Sequence, residues 1–232
     1  MAAQSRIWYL GLLGGLTVGV LAIMGRSLID PTWGRIQPPT IPDRIPIPAW
    51  SDLNSTPTSL TTRAWGTREI QAIPGRRYTY SQASQLPLAL EVFYFQSPSG
   101  GVDSFLKLYA QSKKSKYEVP VMKIAQESGS SYGLYYNQNT AYLSSCINPR
   151  GGSTVTNEQF QANRDRYDLN PKRWIPVILG MERLRDWRCL WINLSIPSNM
   201  NNVDESYKTL VTAWQHIDSN RYQYFKGFAN PD

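Results

Sequence analysis

Histidine and cysteine are nearly missing from this chain: His216 stands alone, and Cys146 and Cys189 are the only thiol-bearing residues. One histidine and two cysteines 43 residues apart cannot supply a zinc ligand set at ordinary spacing, so no metal ligand is assigned. Phosphate-binding glycine fingerprints are missing too. Arg150-Gly151-Gly152-Ser153 lacks the Walker and dinucleotide-binding spacings, and no cofactor is expected. No internal repeat is present, which argues against repeat architectures. Acidic residues are outnumbered, 17 against 24 Lys and Arg, for a formal charge of +7. That surplus suits nucleic acid, anionic lipid headgroups or acidic partners. The N-terminus favours the lipid over nucleic acid.

Ile7 to Met24 runs without a charge, between Arg6 and Arg26. At 1.5 Å per residue it would make about 27 Å of helix, close to the ~30 Å hydrocarbon core of a bilayer. Trp8 and Tyr9 sit near one end, where amphipathic rings favour the interface. A cleaved signal peptide is the rival, but the run exceeds the usual apolar length and no Ala-x-Ala pattern follows. The expectation is a retained transmembrane signal anchor over residues 7–24, behind a short segment 1–6. That predicts a single-pass protein of the inner (plasma) membrane with its C-terminal domain facing the periplasm. Residues 25–62 follow as a Pro-rich spacer, because prolines 31, 38, 39, 42, 46, 48 and 57 favour extended polyproline II.

The remainder has enough apolar and aromatic content, 41% and 12%, for a packed core. An α+β domain is expected over residues 63–226, with a tail at 227–232. It would be a mostly antiparallel sheet carrying three or four packed helices. Strands are predicted at Arg76–Ser81, Leu88–Gln96, Val119–Gln126, Ser131–Asn137, Thr140–Ile147 and Arg188–Ile196. Asn137-Gln138-Asn139 reads as a hairpin turn. Helices are predicted from Asp103, over Asn157–Tyr167, and from a capping box at Asn202 and Glu205. Lys113, Lys114 and Lys116 would close the first of these favourably against its dipole. Trp174 to Met181 is an apolar patch between basic residues; it reads as a core segment or as a membrane- or partner-facing one.

The chain is organised around Tyr142 to Phe160, a strand, a glycine-rich loop and the start of a helix. Thr156 with Gln159 forms a capping box that opens the helix at Asn157. Consecutive backbone N–H groups ahead of a helix, with Arg150 beside them, can seat a carboxylate or phosphate. The plainer alternative is a well-capped connection that binds nothing. Binding candidates are therefore Arg150, Gly151, Gly152, Ser153 and Thr154 in the loop, joined by Arg164 and Arg166 on the helix. Cys146 and Cys189 each lie in a predicted strand; in an oxidising compartment such a pair is bridged, and otherwise they are two buried thiols. No catalytic residue is assigned. His216 lies about 200° around its helix from Trp214 and is expected in solvent.

One set of residues carries a resemblance. It comprises Ser144-Ser-Cys-Ile-Asn-Pro-Arg-Gly-Gly-Ser-Thr-Val-Thr-Asn-Glu-Gln-Phe160, Asn163-Arg164, Tyr167-Asp-Leu169, Leu184-Arg-Asp-Trp-Arg-Cys-Leu-Trp191 and Leu194-Ser195. Together these resemble the family of cyanobacterial exosortase A system-associated proteins, across about fifty residues that the flanking strands and the apolar N-terminus extend. An exosortase is an integral-membrane cysteine transpeptidase that acts on secreted proteins bearing a C-terminal Pro-Glu-Pro-type sorting signal. The resemblance implies a non-catalytic, membrane-anchored accessory factor in protein sorting and envelope or exopolysaccharide export. Its partners would be the exosortase, its sorted substrate, or both. It carries over no catalytic residues. Two alternatives belong to other classes: a thiol-dependent hydrolase or transpeptidase using Cys146, and an envelope scaffold binding polysaccharide on its aromatic strands.

Overall fold

The computed structural model describes residues 9, 11, 13–15, 17–21 and 25 and, from Pro38 onward, all but residues 64–69, 83–85, 98, 113–119, 128, 179–183 and 230–232. Residues 7, 8, 10, 12, 16 and 22–24 of the 7–24 run, and the Lys113–Lys116 cluster, lie outside the described residues. Among those described, no helix is long and apolar enough to cross a membrane. A span needs about 20 consecutive apolar helical residues. The transmembrane anchor is therefore withdrawn, and with it the single-pass inner-membrane, periplasm-facing placement.

The chain divides into two units, Met1–Gln37 with Asp168–Asp186, and Pro38–Tyr167 with Trp187–Asp232. The second is α+β, built on one seven-stranded antiparallel sheet. Its strands are β1 (Ser51–Arg63), β2 (Ile70–Ser81), β3 (Leu88–Gln96), β4 (Lys123–Glu127), β5 (Ser130–Asn137), β6 (Thr140–Ile147) and β7 (Arg188–Pro197). Their order is β1-β2-β3-β7-β6-β5-β4. Two meanders, β1 to β3 and β4 to β6, are thus joined by the last strand. β7 is buried along nearly its whole length, as a strand covered on both faces must be.

Helix α1 (Val102–Ser112) packs Val102, Phe105 and Leu106 on one face of the sheet, against Phe93, Phe95 and Trp191. Rings dominate this core: Phe95 and Phe105 stack at 4.3 Å, and Tyr109 meets Trp191 edge-on at 5.6 Å. Helix α4 (Val203–Ser219) packs Leu210, Ala213, Trp214 and Ile217 into a second core with Leu90, Val92, Ile192 and Leu194. Between them in the chain lie α2 (Asn157–Asp168) and α3 (Trp174–Ile178); α5 (Arg221–Tyr224) follows α4.

The Pro-rich stretch is not only a spacer. β1 occupies Ser51–Arg63 and pairs with β2 along its length, and Pro57 sits opposite Arg76 on this edge strand. An edge tolerates a residue without an N–H. Upstream, Ile45 and Ile47 are buried in the α4-side core. Tyr78 Oη donates to Pro42 O at 2.5 Å and Tyr80 Oη to Ile45 O at 2.8 Å. Prolines that break regular structure leave carbonyls that tyrosines then satisfy. The expected tail also packs, with Phe228 and Ala229 buried.

Two further local expectations need correcting. Asn202 makes no side-chain cap; Asn199 instead accepts from the N–H groups of Asn201 and Asn202, opening a 3-10 turn ahead of α4. His216 is half-buried rather than solvated, with Nε2 2.9 Å from Tyr224 Oη. That hydroxyl donates onward to Pro46 O at 3.2 Å, so the imidazole is the donor in their contact.

Candidate functional site

β6 ends at Ile147, and the chain folds back on it at once. Cys146 and Thr154 exchange backbone hydrogen bonds at 2.8 and 2.9 Å, making a short antiparallel bridge. Residues 147–153 form a closed turn between these partners. Asn148 fastens it from within, donating Nδ2 to Gly152 O at 2.7 Å and to Thr154 Oγ1 at 3.3 Å. Gly151 takes φ +71°, where a side chain is strained. Gly152 is required for another reason: a Cβ there would lie 2.1 Å from Gly129 O.

The exit from the turn follows the capping box. Thr156 Oγ1 accepts from Gln159 N–H at 3.2 Å, while Gln159 Oε1 accepts from Val155 and Thr156 N–H at 2.8 and 3.2 Å. Helix α2 therefore starts at Asn157, as its sequence predicts. It reaches back to the turn nearly two helical turns later, where Asn163 Nδ2 donates to Arg150 O at 2.9 Å.

The turn is also latched from far along the chain. Asp218, at the end of α4, accepts Ser130 Oγ at 2.5 Å on one carboxylate oxygen and Ser153 Oγ at 2.6 Å on the other. Arg221 Nη1 pairs with the same carboxylate at 2.9 Å, and Nη2 donates to Gly151 O at 3.1 Å and Tyr222 Oη at 3.0 Å. This Asp–Arg latch is invisible to a motif reading of 142–160, because its partners lie 65 and 88 residues away in sequence.

The seven sequence-derived binding candidates fall into two groups. Ser153 and Thr154 are buried, the first bound to Asp218 and the second paired with Cys146. Gly151 and Gly152 are the hinge of the turn. Arg164 is only 4% exposed, with its guanidinium 3.4 Å from the Trp187 ring centroid and 5.0 Å from that of Phe160. It is a packed cation between two aromatic faces. Arg150 is half-buried and Arg166 is exposed. These two alone combine a guanidinium with ready access to solvent. Arg166 follows Asn163 by three residues, so the two are neighbours on the helix surface.

Cys146 and Cys189 are joined in a disulfide, with Cα atoms 5.6 Å apart. They lie on adjacent strands at diagonal positions, because Cys146 sits opposite Trp191. A thiol nucleophile at Cys146 would need this bond reduced first.

A second polar cluster escaped the sequence reading. Arg77, Glu91, Asn193 and Ser144 occupy successive strands β2, β3, β7 and β6 in register. Glu91 is 7% exposed; Tyr109 Oη donates to its Oε1 at 3.3 Å, and Arg77 Nη1 lies 3.6 Å from the same oxygen. Asn193 Oδ1 accepts from Ser144 Oγ at 2.6 Å and Tyr135 Oη at 3.2 Å. Burial first, and the Glu91 charge second, hold the Tyr109 phenol well above its ordinary range; burial raises Tyr142 as well. A local reading hides such a row, since its members come from four strands and meet only through the sheet's register.

Comparison with protein-family models, with curated proteins and with solved structures finds no match. The family resemblance therefore rests on the motif residues alone. Most of those residues now have a conformational role: they build the turn, its cap, the packed Arg164 and the disulfide. Among the described residues no group of three or more His, Cys, Asp or Glu could hold a metal ion.

Proposed function

We propose that this protein is a non-catalytic accessory factor of an exosortase-type sorting system, binding the exosortase or its substrate through the 148–156 turn. The observation behind this reading is a turn whose shape is fixed by hydrogen bonds from the chain's own side chains. Asn163 holds Arg150 O and Arg221 holds Gly151 O, so the backbone carrying Arg150 is preorganised. Preorganisation lowers the ordering cost of association. A partly exposed Arg150, with Arg166 on the helix that follows, suits a carboxylate-bearing partner such as an acidic sorting signal. The resemblance of residues 144–195 supplies the partner's identity. No spanning anchor is part of this reading.

Co-purification of the tagged chain with the exosortase tests it. Arg150→Ala and Arg166→Ala are expected to cut recovery of the enzyme, or processing of its substrate, by about tenfold, the worth of one charge-assisted hydrogen bond. Recovery and processing that match wild type in both variants would discard the site. Binding of envelope glycan by the chain, with no exosortase contact, would favour the scaffold reading instead.

A further inference from the structure

Residues Asp168 to Asp186 form an excursion with a fixed neck. Asp168 Oδ2 accepts the backbone N–H of Asp186 at 2.7 Å, tying the two ends together. Its Oδ1 takes Arg173 Nη1 at 3.2 Å. Asn170 accepts from Lys172 N–H at 3.0 Å and starts the 3-10 turn Pro171–Arg173, which runs directly into α3. Residues 168–178 are thus held in a defined shape by polar contacts near the base of the excursion.

What that shape presents is apolar. Trp174, Ile175 and Ile178 are 55%, 70% and 69% exposed. At 100° per residue they share an arc of about 100° on one side of α3. Leu169 and Leu184 of the same excursion are exposed as well. Single exposed apolar residues need no explanation, but a group of large ones does. Among the described residues the charges differ in exposure too. Asp168 and Asp186 are buried, whereas Lys172 and Arg185 are exposed.

We propose that this excursion docks peripherally on an anionic lipid surface. Trp174, Ile175 and Ile178 would enter the boundary between headgroups and acyl chains, with Lys172 among the lipid phosphates. An apolar face carrying tryptophan, with Lys172 and Arg185 exposed beside it and Asp168 and Asp186 buried, is the chemistry of an interfacial segment. The chain's charge of +7 adds long-range attraction to the same surface. The contact needs no membrane-crossing helix and is independent of the turn at 148–156.

Hydrogen–deuterium exchange on the full chain tests this segment directly, with phosphatidylglycerol vesicles, phosphatidylcholine vesicles or none. Amides from Asn170 to Ile178 should exchange at least threefold more slowly with phosphatidylglycerol, and much less so with phosphatidylcholine. Ile175→Asp and Ile178→Asp should weaken binding to phosphatidylglycerol vesicles by about tenfold, and Lys172→Glu by about fivefold. These side chains are exposed, so thermal unfolding without vesicles should match wild type. Unchanged exchange in this segment would overturn the proposal, even if the chain sediments with vesicles through other residues. Slow exchange already present without lipid, and rising with protein concentration, would overturn it in favour of a second copy of the chain.

Discussion

Glu91 and Tyr109 show how one polar pair placed in a ring-filled core makes stability depend on pH. The Tyr109 phenol ionises above its ordinary range because it is buried and faces a carboxylate. The folded chain therefore holds that proton more tightly than the unfolded chain does. The corresponding stability is fully present below pH ~10, the ordinary phenol value, and is lost as pH rises beyond it. Tyr109→Phe should cost about 1 kcal/mol at neutral pH through the lost hydrogen bond. It should also make the alkaline decline shallower, as read from urea midpoints measured between pH 8 and 11. Parallel declines for wild type and variant would refute this account. Gly152 offers a sharper steric test, since a methyl group there meets Gly129 O at 2.1 Å. Gly152→Ala should destabilise by about 2–4 kcal/mol, because backbone rather than a flexible side chain must move. Glycine at this position was legible in the sequence as a turn; the strand end pressed against it was not.

Among elements, the capped turn and the helix it opens show what a local reading can reach. Thr156 and Gln159 are three residues apart, and the bonds they make are the ones their spacing predicts. The Asn137–Thr140 hairpin was equally legible, with Gln138 and Asn139 both at positive φ. The latch was not, because Asp218 and Arg221 read only as helix-end charges until the fold sets them under Ser153 and Gly151. Arg164 misled for the same reason: a guanidinium reads as a surface group until Trp187 and Phe160 enclose it. Asp218→Ala leaves a partly buried Arg221 and two serine hydroxyls without their shared acceptor. It should destabilise by about 2–4 kcal/mol in chemical denaturation. It should also raise amide exchange at Ser153 and Thr154 more than elsewhere in the sheet. Uniform loss of protection would mean that the latch stabilises the fold without shaping the turn.

At the scale of the larger unit, the cysteine bridge and the sheet order act together. Joining residues 43 apart restricts the unfolded chain by about 4 kcal/mol in the chain-entropy account. Reduction with dithiothreitol, or replacement of both cysteines by alanine, should lower unfolding stability by an amount of that order. An unchanged transition would show that the bridge is dispensable. Six of the strands and the helices α1, α2 and α4 were legible because alternation, amphipathicity and capping are local. β1 was masked by its prolines and polar residues, and the strand order lay in pairings that no local pattern carries.

That order imposes a schedule on synthesis. The strand that lies between the two meanders is made last, so a nascent chain that has reached only Asp186 holds two separate three-stranded pieces. β3 and β6 each then face water with an unpaired rim. Only when Pro197 clears the ribosome can a single segment zip both rims at once. Until then both rims are open templates for pairing with another chain.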